Sequence, residues 1–237
     1  VARPVLVFLP WLVAWLVVSG SSARAQPPLA AESGSLVRLD GVAAVLGGSE
    51  PGDPARTILR SDVELRARLS LLGRDPERGL FGELPGSLLN ATLEELLGEQ
   101  LIAAEAERVQ IALPRAAEVA REKQAIEREA GGHRAVAQLL GRLDASAREL
   151  EELARRRALI GAFLRANLEG VGMVTEGEID QRLRVDAARY AGTDPAQARA
   201  IVRASIAKAA LTRTVERWVR VLRARTRVRI FSVFEAS

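Results

Sequence analysis

Between Leu84 and Gln110 apolar residues return at three- and four-residue steps: Leu89, Leu93, Leu96, Leu97, Leu101 and Ile102, then Ala104 and Val109. Glu94, Glu95, Glu99 and Gln100 fill the positions between them. This period predicts an amphipathic helix, opened by Pro85 and closed before Ile111-Ala112-Leu113-Pro114. Its apolar face is wider than a coiled-coil seam, so the helix is expected to lie as a hub among several partner helices. A second long helix is expected over about Ser146 to Leu168, with Leu150, Leu153, Leu159, Ile160, Phe163 and Leu164 turned toward the hub. Shorter helices are expected from Ser61 to about Leu72, Arg115 to Glu129, His133 to Leu143 and Thr175 to about Ala188. A last helix runs from Asp194-Pro195 to about Arg223.

Three of these starts carry a hydroxyl residue with a glutamate three positions on: Ser61 with Glu64, Ser146 with Glu149 and Thr175 with Glu178. In that spacing the hydroxyl accepts from the third amide while the carboxylate reaches back to the first. Gly131-Gly132 breaks the helix before His133, and Arg74 to Glu83 is read as a loop. Two runs lack the helical period, Val37 to Leu46 near one end and the β-branched and aromatic Val228 to Phe234 at the other. A strand needs a partner, so the two ends of the chain are expected to pair. Gly47 to Pro54 is a turn-rich segment between breakers.

Composition agrees with a helical reading, at 48% hydrophobic but only 4% aromatic over 237 residues. The first 25 residues, with Arg3, an apolar run from Val5 to Val18 and the small-residue ending Ala23-Arg24-Ala25, fit a secretory leader cleaved between Ala25 and Gln26. An uncleaved anchor is the alternative, but the run is shorter than the roughly 18 to 20 apolar residues a membrane span requires. Residues 26–36 then form a linker, and residues 37–237 a single helical domain. Losing Arg3 and Arg24 with the leader lowers the net charge of +4 by two. The pI near 10.4 reflects arginine in place of lysine and does not indicate nucleic acid. With no cysteine, disulfides and lipid modification of an N-terminal cysteine are excluded.

The order of these pieces has a counterpart. The strand Val42 to Leu46, the stretch Ile58-Leu59-Arg60-Ser61-Asp62-Val63, the hub segment Leu97 to Arg108 and the start Val174-Thr175-Glu176-Gly177-Glu178-Ile179, closed by a helix and a strand, resemble the SurA-like periplasmic chaperones. The resemblance covers about Val37 to Phe234 and rests on helix order. It implies a mostly α, trigger-factor-like chaperone module with a small β pairing between its N- and C-terminal strands. It also implies an ATP-independent holdase in the periplasm for unfolded outer-membrane or exported polypeptides. Such proteins often carry parvulin prolyl isomerase domains between the helix that starts at Val174 and the last helix. Here only Tyr190 to Asp194 lie there, so isomerase activity is not expected.

Nothing in the chain points to enzyme chemistry or a cofactor. It has no phosphate-binding loop, no H-E-x-x-H and no calcium loop, and a single histidine cannot build a usual zinc site. That histidine, His133, follows two glycines and reads as a solvated turn residue. The acid pairs Glu94-Glu95, Glu127-Glu129 and Glu151-Glu152 read as solvated helix faces. Two features suggest binding. In the last helix Leu211, Val215, Trp218, Val219 and Leu222 form one face and Arg213, Arg217 and Arg220 another, with more arginines beyond. This is either a core helix with a solvated basic side or a contact for an anionic lipid surface or an acidic client. In Gly79-Leu80-Phe81-Gly82 an apolar pair sits between glycines. Leu80 and Phe81 either plug the core or, as the reading adopted, line the rim of a client cleft between the hub and the Thr175 helix. The partners expected are unfolded polypeptides, with no nucleic acid and no stable membrane anchor after cleavage. The alternatives are an envelope adaptor with one dedicated protein partner and, last, a prolyl isomerase.

Overall fold

A computed structural model describes residues 40–47, 55–168, 173–231 and 234. The expected leader, its cleavage point at Ala25 and Gln26, the linker, most of the turn-rich segment and the first residues of the expected strand lie outside the described residues. The fold is mostly helical with one small antiparallel sheet. In chain order it comprises β1 (Val42–Gly47), β2 (Arg56–Leu59), α1 (Arg60–Leu72), α2 (Pro76–Phe81), α3 (Gly86–Arg108), α4 (Ala116–Glu129), α5 (His133–Leu143), α6 (Ala147–Asn167) and α7 (Glu176–Val185). A single 3-10 turn (Ala187–Tyr190) then precedes α8 (Pro195–Arg225) and β3 (Arg227–Ile230).

The two ends of the chain do pair. β3 runs antiparallel to β1, with Ala44 opposite Ile230 and Leu46 opposite Val228. On its other edge β1 pairs with β2, a strand that the sequence pattern did not suggest. Ala43 and Ala44 are both buried although they are consecutive, because the register shifts between Val42 and Ala44 and the extra residue breaks the alternation.

The hub is α3. Leu93, Leu96, Leu97, Leu101 and Ile102 pack with Ala44 and Ile58 of the sheet, with Leu159, Ile160, Phe163 and Leu164 of α6, and with Val215 and Val219 of α8. Alanine, leucine and glutamate dominate its 23 residues, which suits a helix interior. It ends in a left-handed Gln110, φ 56°, whose neighbour Ile111 donates to Ala106 at 2.9 Å. That 6→1 bond closes the last turn. A second core lies at the other end of α6, where Leu150, Leu153 and Ala154 meet Leu69 and Leu72 of α1, Ile126 of α4 and Leu139 of α5. α6 is therefore one rod shared by both cores. Its Arg157 forks onto Glu129 at 2.9 and 3.0 Å and reaches Glu122 at 3.1 Å, tying α4 alongside.

Three local expectations are corrected. Ser61 does not cap α1. The helix begins one residue earlier, Asp62 accepts from the Leu59 amide at 2.9 Å, and the Ser61 hydroxyl is engaged by Asp40. The Arg74 to Glu83 segment is not all loop, because Asp75 accepts from Arg78 at 3.1 Å with Pro76 in the first turn and so starts the short α2. Glu95 is not a solvated acid. It is half-buried beside Arg66 and Glu99, and burial raises its carboxyl to about 6. The Thr175 box forms as expected, with Glu178 accepting from the Thr175 amide at 2.8 Å.

Candidate functional site

The expected rim residues separate. α2 packs on α1 and α5, away from the Thr175 helix, so the cleft envisaged between hub and α7 does not contain them. Leu80 is buried in the second core, while Phe81 is 57% exposed with the Arg142 guanidinium 4.5 Å over its ring. The flanking glycine serves close packing: a Cβ on Gly79 would stand 2.8 Å from the Leu72 Cα, so only glycine lets α2 lie against α1 this closely. Leu80 is thus a core plug and Phe81 a single surface aromatic. His133 is exposed and its Nδ1 lies 3.0 Å from Glu127. Among the described residues no cluster of three or more acidic, histidine or cysteine side chains could hold a metal.

The apolar face of the last helix goes into the core as one alternative supposed. Val215 and Val219 are buried, and Trp218 lies tilted against Phe163 with ring centroids 5.5 Å apart. The sequence pattern did not reveal what the other half of that helix does. α8 has 31 residues, about 46 Å of rod at 1.5 Å per residue. Only its second half lies on the hub. In the first half Ala198 and Val202 are buried where α7 packs, with Ile179 of α7 opposite. Thirteen residues separate Val202 from Val215, which turns the helix by about 220° beyond whole turns. The two buried stripes therefore face different sides of the helix, about 120 to 140° apart.

It follows that the side of α8 that meets the core at Leu211, Val215 and Val219 continues toward the N-terminus through Lys208, Ala204 and Ile201. There nothing covers it among the described residues: all three are exposed, Ile201 by 46%. α7 and the first half of α8 form an arm that overhangs the body. Val185, near the end of α7, is 72% exposed.

The arm is held mainly by charge. Arg199 bonds Glu176 and, at 2.6 Å, Asp180, and Arg203 also engages Glu176. Hydrogen bonds from Arg199 and then Arg203 lower the Glu176 carboxyl below the usual range. Glu178 is likewise lowered, chiefly by the Thr175 amide. Few buried apolar contacts combined with exposed ion pairs mark a segment that opens at lower free energy than a packed core. This arrangement can offer apolar side chains beside mobile cationic ones to a chain of no fixed shape.

Neither protein-family models, nor curated proteins, nor solved structures provide a match to this chain.

Proposed function

We propose that this protein is an ATP-independent holdase of the cell envelope, binding unfolded outer-membrane or other exported polypeptides. The observation that carries the reading is the overhang: the bare, core-side stripe of α8 at Ile201, Ala204 and Lys208, standing clear of the body on an arm that one small apolar contact and exposed ion pairs secure. The resemblance of the helix order to that of SurA-like chaperones supports the same reading, and the leader pattern of residues 1–25 supports the location.

The mechanism follows from burial. Covering a half-exposed Ile201 or Val185 with a client side chain yields about 1 to 2 kcal/mol each. Ordering the client opposes much of this gain. Single contacts are therefore weak and exchange rapidly, and affinity comes from several such contacts along one extended chain. Lys208, exposed on the same stripe, can add cation–π contact with client aromatics.

The test is dilution of a urea-unfolded outer-membrane barrel protein into buffer containing the chain at equal molarity, without nucleotide, with light scattering recorded. Suppressed aggregation is expected. Ile201→Asp and Val185→Asp, both at exposed positions that tolerate a polar group, should each lose most of it while leaving the circular dichroism spectrum unchanged. Phe81→Ser should lose little. Failure of the folded parent chain to suppress scattering would refute the holdase reading and favour an adaptor with a single partner, which would emerge as one saturable complex.

A further inference from the structure

A second surface lies on the opposite side of α8 and has nothing to do with the overhang. From Lys208 to Phe231 the chain carries eight basic residues against one acid, Glu216. Arg223 is engaged by Glu94 of α3. Arg213, Arg217 and Arg220 are exposed and make no ion pair with any described residue. On the helix their positions fall within an arc of about 60° and a length of about 10 Å, directly opposite the stripe of Leu211, Val215 and Val219 that faces the core. They form a convex basic ridge backed by a rigid, packed helix.

The chain then passes through Thr226 into β3, an edge strand of the sheet. Arg227, Arg229 and Phe231 alternate there, so their side chains share one side of the extended chain, and all three are exposed, Phe231 by 61%. Val221 on α8 and Ile230 on β3 are also partly bare.

We propose that the outer ridge of α8, with Arg227 and Arg229 of β3, is a docking surface for an anionic lipid bilayer. Charge complementarity and shape select this occupant. A convex ridge meets a plane of phosphates along its whole length, whereas a groove would be needed to wrap a single polyanionic strand. Exposed Val221 and Phe231 gain from an acyl region just beneath the headgroups and gain little from a phosphodiester backbone. Among the described residues no helix is long and apolar enough to cross a membrane, and the contact proposed is a peripheral one made by charge and a few apolar side chains. The ridge and the bare stripe at Ile201 to Lys208 point about 150° apart around α8. A chain seated on a membrane by the ridge therefore keeps its overhang open.

The test is flotation of the full chain with vesicles of one part phosphatidylglycerol to two parts phosphatidylcholine, against vesicles of phosphatidylcholine alone. Strong partition to the anionic vesicles is expected, released by high salt. The triple variant Arg213→Gln/Arg217→Gln/Arg220→Gln should weaken it by about 100-fold, each arginine near the surface contributing roughly a factor of five. A charge-matched variant on α4 and α5, Arg121→Gln/Arg128→Gln/Arg134→Gln, should stay within about threefold. Should the ridge variant misfold, the Arg→Lys triple at the same positions keeps the charge and should keep the binding. Phe231→Ser should weaken binding to anionic vesicles without altering its salt release. Equal binding to both vesicle types, equal loss in the two triple variants, loss of binding in the lysine triple, or a short single-stranded oligonucleotide outcompeting the vesicles at equal phosphate would each overturn the proposal. Aggregation suppression is read separately, so the failure of either proposal leaves the other standing.

Discussion

Asn90 on α3 holds the end of the described chain in place, and removing it should cost a predictable amount. Its side-chain amide donates to the Phe234 carbonyl at 2.7 Å and accepts from the Phe234 amide at 3.0 Å, so one planar group satisfies both backbone groups of a residue 144 positions away. Phe234 itself is buried in the main core, with the Arg60 guanidinium 5.2 Å above its ring. Asn90→Ala removes both bonds at a half-buried site, at about 1 kcal/mol each. A loss of roughly 2 kcal/mol is expected, equivalent to about 4 to 8 °C in Tm for a chain of this size. Phe234→Ala, which empties a core position, should cost about 3 to 5 kcal/mol. If the amide positions the ring, the two effects couple, and the double variant should lose less than the sum by about 1 kcal/mol. The assay is urea denaturation of the four proteins followed by circular dichroism. Asn90→Ala within 0.5 kcal/mol of the parent, roughly the scatter of neutral surface changes, would refute the clamp. Strict additivity would show that Phe234 is held by burial alone.

Three further predictions follow from the packing. The Glu95 carboxyl titrates near 6, above its ordinary 4.5, because burial disfavours its charge more than Arg66 restores it. Its contribution to stability is therefore full below about pH 4.5 and is lost as pH rises through 6. Glu95→Gln should raise stability at pH 7 by on the order of 1 kcal/mol, allowing for partial solvent screening, and flatten the denaturation midpoint across that window. Trp218→Ala should cost about 3 kcal/mol in chemical denaturation through loss of its packing on Phe163. Gly73→Ala should destabilise by about 1 to 3 kcal/mol or more by calorimetry, because a methyl there would overlap the Glu129 carbonyl where α1 and α4 end side by side.

The helices were legible where an apolar period coincides with a boundary residue, as with Pro85 before α3, Gly131-Gly132 before α5 and the Ser146 box of α6, since both signals are local. The pairing of β1 with β3 was legible too, because two runs that break the helical period had only each other as candidates. β2 was not: Arg-Thr-Ile-Leu is four residues with a single buried side chain, Ile58, too short for alternation to register. The Ser61 box failed because its partner, Asp40, lies 21 residues earlier and competes from outside the local window. Leu80 and Phe81 were read as a cleft rim because they sit between glycines, but what a glycine permits depends on its neighbour, and the close approach of Leu72 is a tertiary fact. The overhang was hidden for a related reason. Apolar positions in α8 continue through the whole helix, and only the placement of α7 and of the hub decides which of them are covered.

The sheet order β2-β1-β3 places the first described strand at the centre and the last on its edge. Nearly the entire described chain is a loop to be closed before β1 gains its second neighbour, and loops of that length close late. While the polypeptide is still being made, α1 to α6 can already assemble around the hub, but β1 must wait with one bare edge. Its second edge is filled only after α7 and α8 have been made, so the finished sheet records that every helix between its outer strands has arrived.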